Sequence, residues 1–126
     1  MIRRIDAVLL SSPNAKKLAN FYTEKVGVKF QFEGEMGEGD NVFGASWKGS
    51  SDFVVMDHSK IKGANSHPER YLINFEVDDI EREVKRLKKE KVKLIQDIYH
   101  IEMYGHVATF EDIDGNYFQL VQVRAK

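Results

Sequence analysis

Residues Phe110 to Val123 read FEDIDGNYFQLVQV, and this stretch constrains the chain most. Asp112 and Asp114 have short acceptor side chains that bond nearby backbone and start a turn. Gly115 takes a positive φ without steric cost, and Asn116 tolerates a left-handed conformation. The run Tyr117 to Val123 is rich in β-branched and aromatic residues, as strands are. The spacing predicts strand, tight turn, strand, with Gly115 at positive φ. A calcium loop beginning at Asp112 is excluded. An EF-hand needs Gly at its sixth position and Glu at its twelfth, and Tyr117 and Val123 stand there.

With 126 residues the chain is long enough for one domain with a proper core. Nineteen basic and twenty acidic side chains give a formal charge of −1, so no global field recruits nucleic acid or an anionic membrane. The absence of cysteine excludes disulfides, thiolate zinc sites and a cysteine nucleophile, and fits a reducing, cytoplasmic setting. The apolar run in the N-terminal MIRRIDAVLL is too short for a signal peptide or a membrane span, and Ser11-Ser12-Pro13 breaks it.

Taken in order, residues 4–11 alternate as a strand, with Ile5, Ala7 and Leu9 on one face and Val8 and Leu10 on the other. Both faces are apolar, so the strand is expected to be buried on both sides. Ser12 is the expected N-cap and Pro13 the first helical residue, followed by Ala15, Leu18, Phe21, Tyr22 and Val26 at helical spacing and Gly27 at the end. A second strand is expected from about Val28 to Glu33, and Gly34 to Asn41, with three glycines and three acids, reads as a loop. Val42 to Lys48 and Asp52 to Asp57 form a hairpin around Gly49-Ser50-Ser51. His58 to Arg70 is a polar connector without periodicity.

The second half repeats the first. Tyr71 to Val77 is a strand with Ile73, Phe75 and Val77 on one face. Asp78 with Glu81 makes a capping box, and Ile80, Val84 and Leu87 follow at helical spacing. Acids crowd the first turn of this helix and bases its last, which complements the helix dipole and marks a solvated face rather than a nucleic-acid patch. Val92 to Met103 contains a strand, Tyr104-Gly105 a turn, and His106 to Glu111 with Tyr117 to Val123 the final hairpin. Sliding one half onto the other lays Ala7 on Leu72, Ala15 on Ile80 and Tyr22 on Leu87, with almost no identity. The repeat lies in the order of elements, strand–helix–three strands.

The hairpin segment resembles the D-P-D-G-N-x-x-E-L signature of the glyoxalase/bleomycin resistance protein/dioxygenase (vicinal oxygen chelate) superfamily, with Ile113 in place of Pro and Gln119 in place of a metal-binding Glu. Asn20-Phe21-Tyr22 with Val26-Gly27-Val28 resembles the family's F-Y-x-x-x-L-G segment, and Phe75-Glu76-Val77-Asp78-Asp79-Ile80 extends the likeness. Lys91 stands near the place of a family Gly at the helix end, which implies backbone strain there or a different ending. The resemblance implies an α+β fold of a single domain over 1–126. Two βαβββ modules, about 1–60 and 68–126, curl into an open mixed-sheet barrel with helices outside, often as a homodimer.

In metal-dependent members of the family, three or four His, Glu or Gln ligands come from the first and last strands of the modules. The matched positions here are Ala7, Leu72 and Gln119, with a looser match near Val54, and of these only Gln119 has a donor atom. The resemblance therefore implies a member without the metal, with no cofactor and no assigned catalytic residue. Alternation places Gln119 inward with Tyr117 and Val121, and likewise Leu72 with Asn74 and Val54 with Met56. Phe43, Ala45 and Trp47 share another apolar face, either pocket wall or dimer seam. Asn74, Gln119, Leu72, Val54, Met56, Trp47 and Tyr117 are the expected ligand-binding residues, an apolar wall with two amides that suits an uncharged or aromatic small molecule.

Two other readings stay open. One is a lyase, isomerase or dioxygenase-like enzyme holding a metal through His100, Glu102, His106 and Gln119; the other is a structural dimer whose barrel is filled by its own side chains. His58 and His67 fall in the connector and are expected to be solvated. Neither nucleic acid nor membrane is an expected partner.

Overall fold

The computed structural model describes residues 1–37 and 39–123. The chain divides into two compact units, Met1–Gly63 and Ala64–Lys126. The first contains β1 (Ala7–Ser12), α1 (Ala15–Phe21) continued by a π-helical turn (Tyr22–Val26), β2 (Phe32–Met36), β3 (Asp40–Ala45) and β4 (Asp52–Asp57). The second contains β5 (Ile73–Glu76), α2 (Ile80–Lys89), β6 (Lys93–Ile101), β7 (Gly105–Glu111) and β8 (Tyr117–Val123). Each forms one open four-stranded mixed sheet, ordered β1-β4-β3-β2 and β5-β8-β7-β6. In both, the outer first strand runs parallel to the last and the other pairings are antiparallel. The repeated order is thus realised strand for strand in an α+β fold.

In the first unit one sheet face packs on α1. Ala15, Leu18, Ala19, Phe21 and Tyr22 are buried on the helix, and Phe43, Ala45, Phe53 and Val55 on the sheet. Tyr22 meets Phe53 edge-on at 5.1 Å, and Phe30 lies 6.3 Å from Phe43 and 6.1 Å from Phe53. The start of α1 is tied to the sheet by Asp57, whose carboxylate accepts from Ala15 N at 2.7 Å and from Asn41 N at 2.8 Å.

The first unit departs from the sequence pattern at several points. The N-cap is Asn14, which accepts from Lys17 N. Ser12 still belongs to β1, and its hydroxyl accepts from Asn14 N. Val8 and Leu9 are exposed rather than buried on both sides, because β1 is an edge strand. Residues 28–31 are not strand, since Phe30 is drawn onto the aromatic cluster. Gly34 to Met36, expected as loop, pair with β3 through Gly34↔Val42. Glu38, part of that expected loop, lies outside the described residues.

In the second unit α2 buries Ile80, Val84 and Leu87. Its N-cap is Asp79, one residue later than the expected Asp78, and accepts from Arg82 N. The helix ends in a Schellman arrangement: Val92 N–H donates to Leu87 O and Lys91 N–H to Lys88 O, with Lys91 at φ 62. Facing it, Phe118 packs on Phe110 at 5.8 Å and on Phe75 at 6.1 Å. The Asp112–Asn116 turn forms as predicted, with Gly115 at φ 80. The buried Asp112 carboxylate accepts from Asp114 N, Asn116 N and Asn116 Nδ2.

Candidate functional site

Strict alternation in β8 sorts its side chains between two faces. Gln122 marks the α2 side, because its Oε1 accepts from Ile80 N at 2.9 Å at the start of the helix. Phe118 and Leu120 share that side and are buried. Tyr117, Gln119 and Val121 therefore occupy the helix-free face. Register sets Asn74 of β5 and Thr109 of β7 on either side of Gln119. Gln119 is only 8% exposed, and its Nε2 donates to Thr109 Oγ1 at 2.9 Å. Asn74 is exposed and donates from Nδ2 to Tyr104 Oη at 2.9 Å. Tyr104 belongs to the β6–β7 turn, so it leans across the sheet towards the opposite edge strand, β5. The face is thus apolar at Val107 and Val121, with an amide–hydroxyl pair at Gln119–Thr109 and another at Asn74–Tyr104.

Leu72 lies one residue before β5 and is 46% exposed. Tyr117 is half-buried opposite Glu111, whose Oε2 lies 3.5 Å from Lys93 Nζ. Val54 and Met56 belong to the helix-free face of the first unit. Val54 sits between Leu9 and Gly44, and Met56 between Ser11 and Val42. Phe32, opposite Gly44, shares that face, and its ring lies over Gly34, where a Cβ would come within 2.9 Å of Cζ. Leu9 and Phe32 are 53% and 59% exposed, so this face is open and apolar. The expected Phe43, Ala45 and Trp47 face does not hold together. Phe43 and Ala45 are buried on the α1 side, and Trp47 lies past the end of β3, 45% exposed in the turn before β4.

The residues present do not fit the metal that metal-dependent members of the family hold. Ala7, Leu72 and Val54 have no donor atoms, and Gln119 is engaged with Thr109. The alternative set is not assembled either. His106 pairs with Gln122 and so takes the α2 side, whereas Gln119 takes the other. His100 is the direct partner of His106, and Glu102 lies beyond the end of β6. Among the described residues no group of three or more His, Cys, Asp or Glu side chains is placed to hold a metal ion. His67 is exposed. His58 lines a cleft of about 390 Å³ with Pro13, Asn14, Asp57 and Lys62, and its Nδ1 accepts from Lys60 N. No described helix is long and apolar enough to cross a membrane.

Sequence reasoning missed Thr109 and Tyr104. Thr109 was legible, because counting back from the Asp112–Asn116 turn pairs Glu111 with Tyr117 and hence Thr109 with Gln119. Tyr104 was not, since a turn residue reaching across a sheet leaves no local pattern.

Comparison with known proteins agrees with this architecture. A sequence model of the Glyoxalase/Bleomycin resistance protein/Dioxygenase superfamily matches residues 4–120. The chain is 29% identical over 121 residues to the uncharacterized protein YetH of Bacillus subtilis (strain 168), covering 95% of this chain and 98% of that one. TnmS3, an antibiotic binding protein from Streptomyces sp. CB03234, superposes with a TM-score of 0.76 at 21% identity, over 98% of both chains. The trypanothione-dependent glyoxalase I of Leishmania major superposes with a TM-score of 0.74 at 21% identity, over 96% of this chain and 87% of that one. With two like-ordered sheets, a helix on each, and a match running through nearly the whole sequence, the chain belongs to the glyoxalase/bleomycin resistance protein/dioxygenase superfamily.

Proposed function

We propose that this protein binds an uncharged aromatic or amphipathic small molecule without a metal, on the helix-free face formed by Asn74, Thr109, Gln119, Tyr104 and Tyr117. The carrying observation is the donor set. Where the family places metal ligands this chain has Ala7, Leu72 and an amide already bonded to Thr109, while the same face offers amides and hydroxyls against buried valines. Such a surface holds a ligand by shape and a few hydrogen bonds. The fold shared with an antibiotic binding protein supports this reading more than the fold shared with glyoxalase I, since the residues for metal-assisted chemistry are missing here. The open apolar face at Leu9, Phe32 and Val54 supports an assembly of two chains, and the absence of cysteine fits action in the cytoplasm.

The test is a thermal-shift screen of aromatic and amphipathic compounds, with sedimentation for the dimer. The expected result is a hit that loses its shift in Gln119→Leu and in Asn74→Leu. Transition metal bound at one per chain and lost on Gln119→Ala would overturn the metal-free reading. A second reading has its own observation: both amides already find partners within the chain, as they would in a purely structural protein. It prevails if no compound shifts the wild type, or if every hit shifts the variants equally.

A further inference from the structure

The α2 side of the second sheet carries a feature that ligand binding does not use. His100 of β6 and His106 of β7 are directly opposite each other, both exposed, with ring centroids 5.0 Å apart and planes inclined at 47°. We propose that this pair is a two-histidine chelate for a borderline divalent transition-metal ion, with Cu²⁺ preferred.

The spacing fits. An imidazole nitrogen binds such an ion at about 2.0–2.1 Å, and the ring centre lies roughly 1.1 Å further out, so two rings on one ion at bond angles of about 90–110° have centres roughly 4.5–5.3 Å apart. The observed 5.0 Å between ring centroids lies inside that range. The strand pairing holds both backbones in place before the ion arrives, so binding orders only the two side chains. Exposure of both rings leaves the remaining coordination positions to water. Imidazole suits copper, nickel and zinc, and among divalent first-row ions a nitrogen site binds Cu²⁺ most strongly. The site is separate from the family's ligand positions. Gln119 lies on the other face, and Gln122, the neighbour of His106, is already bonded to Ile80 N. The histidines close the hairpin whose turn carries Tyr104, so an ion here would clamp β6 to β7 on one side while Tyr104 meets Asn74 on the other. The β6 ladder shifts register between Leu94 and Gln96 and again between Gln96 and Tyr99, but Tyr99, His100 and Ile101 pair regularly with β7, so the two histidines stand on an undistorted stretch.

The experiment titrates Cu²⁺ into the full chain after chelator washing, at a pH above the ordinary imidazole range, followed by calorimetry and electron paramagnetic resonance. The expected result is one ion per chain with two coordinated imidazole nitrogens, and a melting temperature that rises with Cu²⁺. His100→Ala and His106→Ala should each weaken binding roughly tenfold or more and leave one imidazole nitrogen, since loss of a ligand costs no less than loss of its support. His58→Ala and His67→Ala should change nothing. A His106→Gln variant with an unchanged circular dichroism spectrum separates lost coordination from lost fold. Equal Cu²⁺ affinity in the His100→Ala/His106→Ala double variant, or only one coordinated imidazole in the wild type, would overturn the proposal, and neither result bears on ligand binding at Gln119.

Discussion

Gly115 occupies a position that strains any other residue type. Its φ is 80, and a Cβ there would meet Asn65 N at 3.2 Å, Ala64 Cβ at 3.3 Å and Asn65 O at 3.4 Å. Asn65 is held against the turn, donating from N to Asp114 O and from Nδ2 to Asn116 Oδ1, so it has little room to retreat. Gly115→Val should therefore destabilise by about 1–3 kcal/mol, the usual cost of a strained backbone position, and an unchanged denaturation midpoint would refute the assignment. Lys91 is the opposite case. It holds the left-handed position of the Schellman ending at φ 62 with a Cβ that disfavours it. Lys91→Gly should gain about 0.5–1 kcal/mol, the relief of that strain less the entropy glycine brings to the unfolded chain. Urea denaturation of the two proteins would show it.

At the scale of elements, what was legible follows from periodicity and what was not follows from competition. β4 and β8 have the residues their alternation gives, and α2 buries the Ile80, Val84 and Leu87 stripe its spacing marks. The caps moved because two candidate acceptors stand within two residues of each other: Ser12 before Asn14, and Asp78 before Asp79. Pattern alone cannot choose between them; the backbone path does. Asp79→Ala should cost about 0.5–2 kcal/mol, and Asp78→Ala much less. Equal losses in the two variants, read from melting curves, would mean the cap is shared. The π-helical turn Tyr22–Val26 had no signature, because its backbone bonds reach one residue further than the side-chain pattern reports. β2 was misplaced because Val28 and Phe30 look like strand residues, while the glycines after them look like loop; packing of Phe30 on Phe43 and Phe53 reverses both. Gln119, Asn74 and Tyr117 lie on the helix-free face of the second sheet, and Val54 and Met56 separately on that of the first, as alternation assigned, whereas Trp47 fell beyond the reach of the period.

For the whole molecule, the polar pairs on the helix-free face decide how substitution and binding separate. Gln119→Leu removes one partner of a buried pair and leaves the Thr109 hydroxyl orphaned, at a cost of about 1–3 kcal/mol. Gln119→Leu combined with Thr109→Val removes both polar groups, so it should recover most of that loss while still failing to bind any compound that needs the amide. Thermal melts of the single and double variants, with and without a hit compound, measure the two effects separately. The sheets carry a further consequence. Every strand of the first sheet lies between Ala7 and Asp57, and every strand of the second between Ile73 and Val123. Once residue 57 has left the ribosome, the first sheet has all its strands, before β5 has emerged from the exit tunnel. Folding during synthesis then proceeds one sheet at a time, and a pause as the connector emerges from the ribosome would find nothing half-paired.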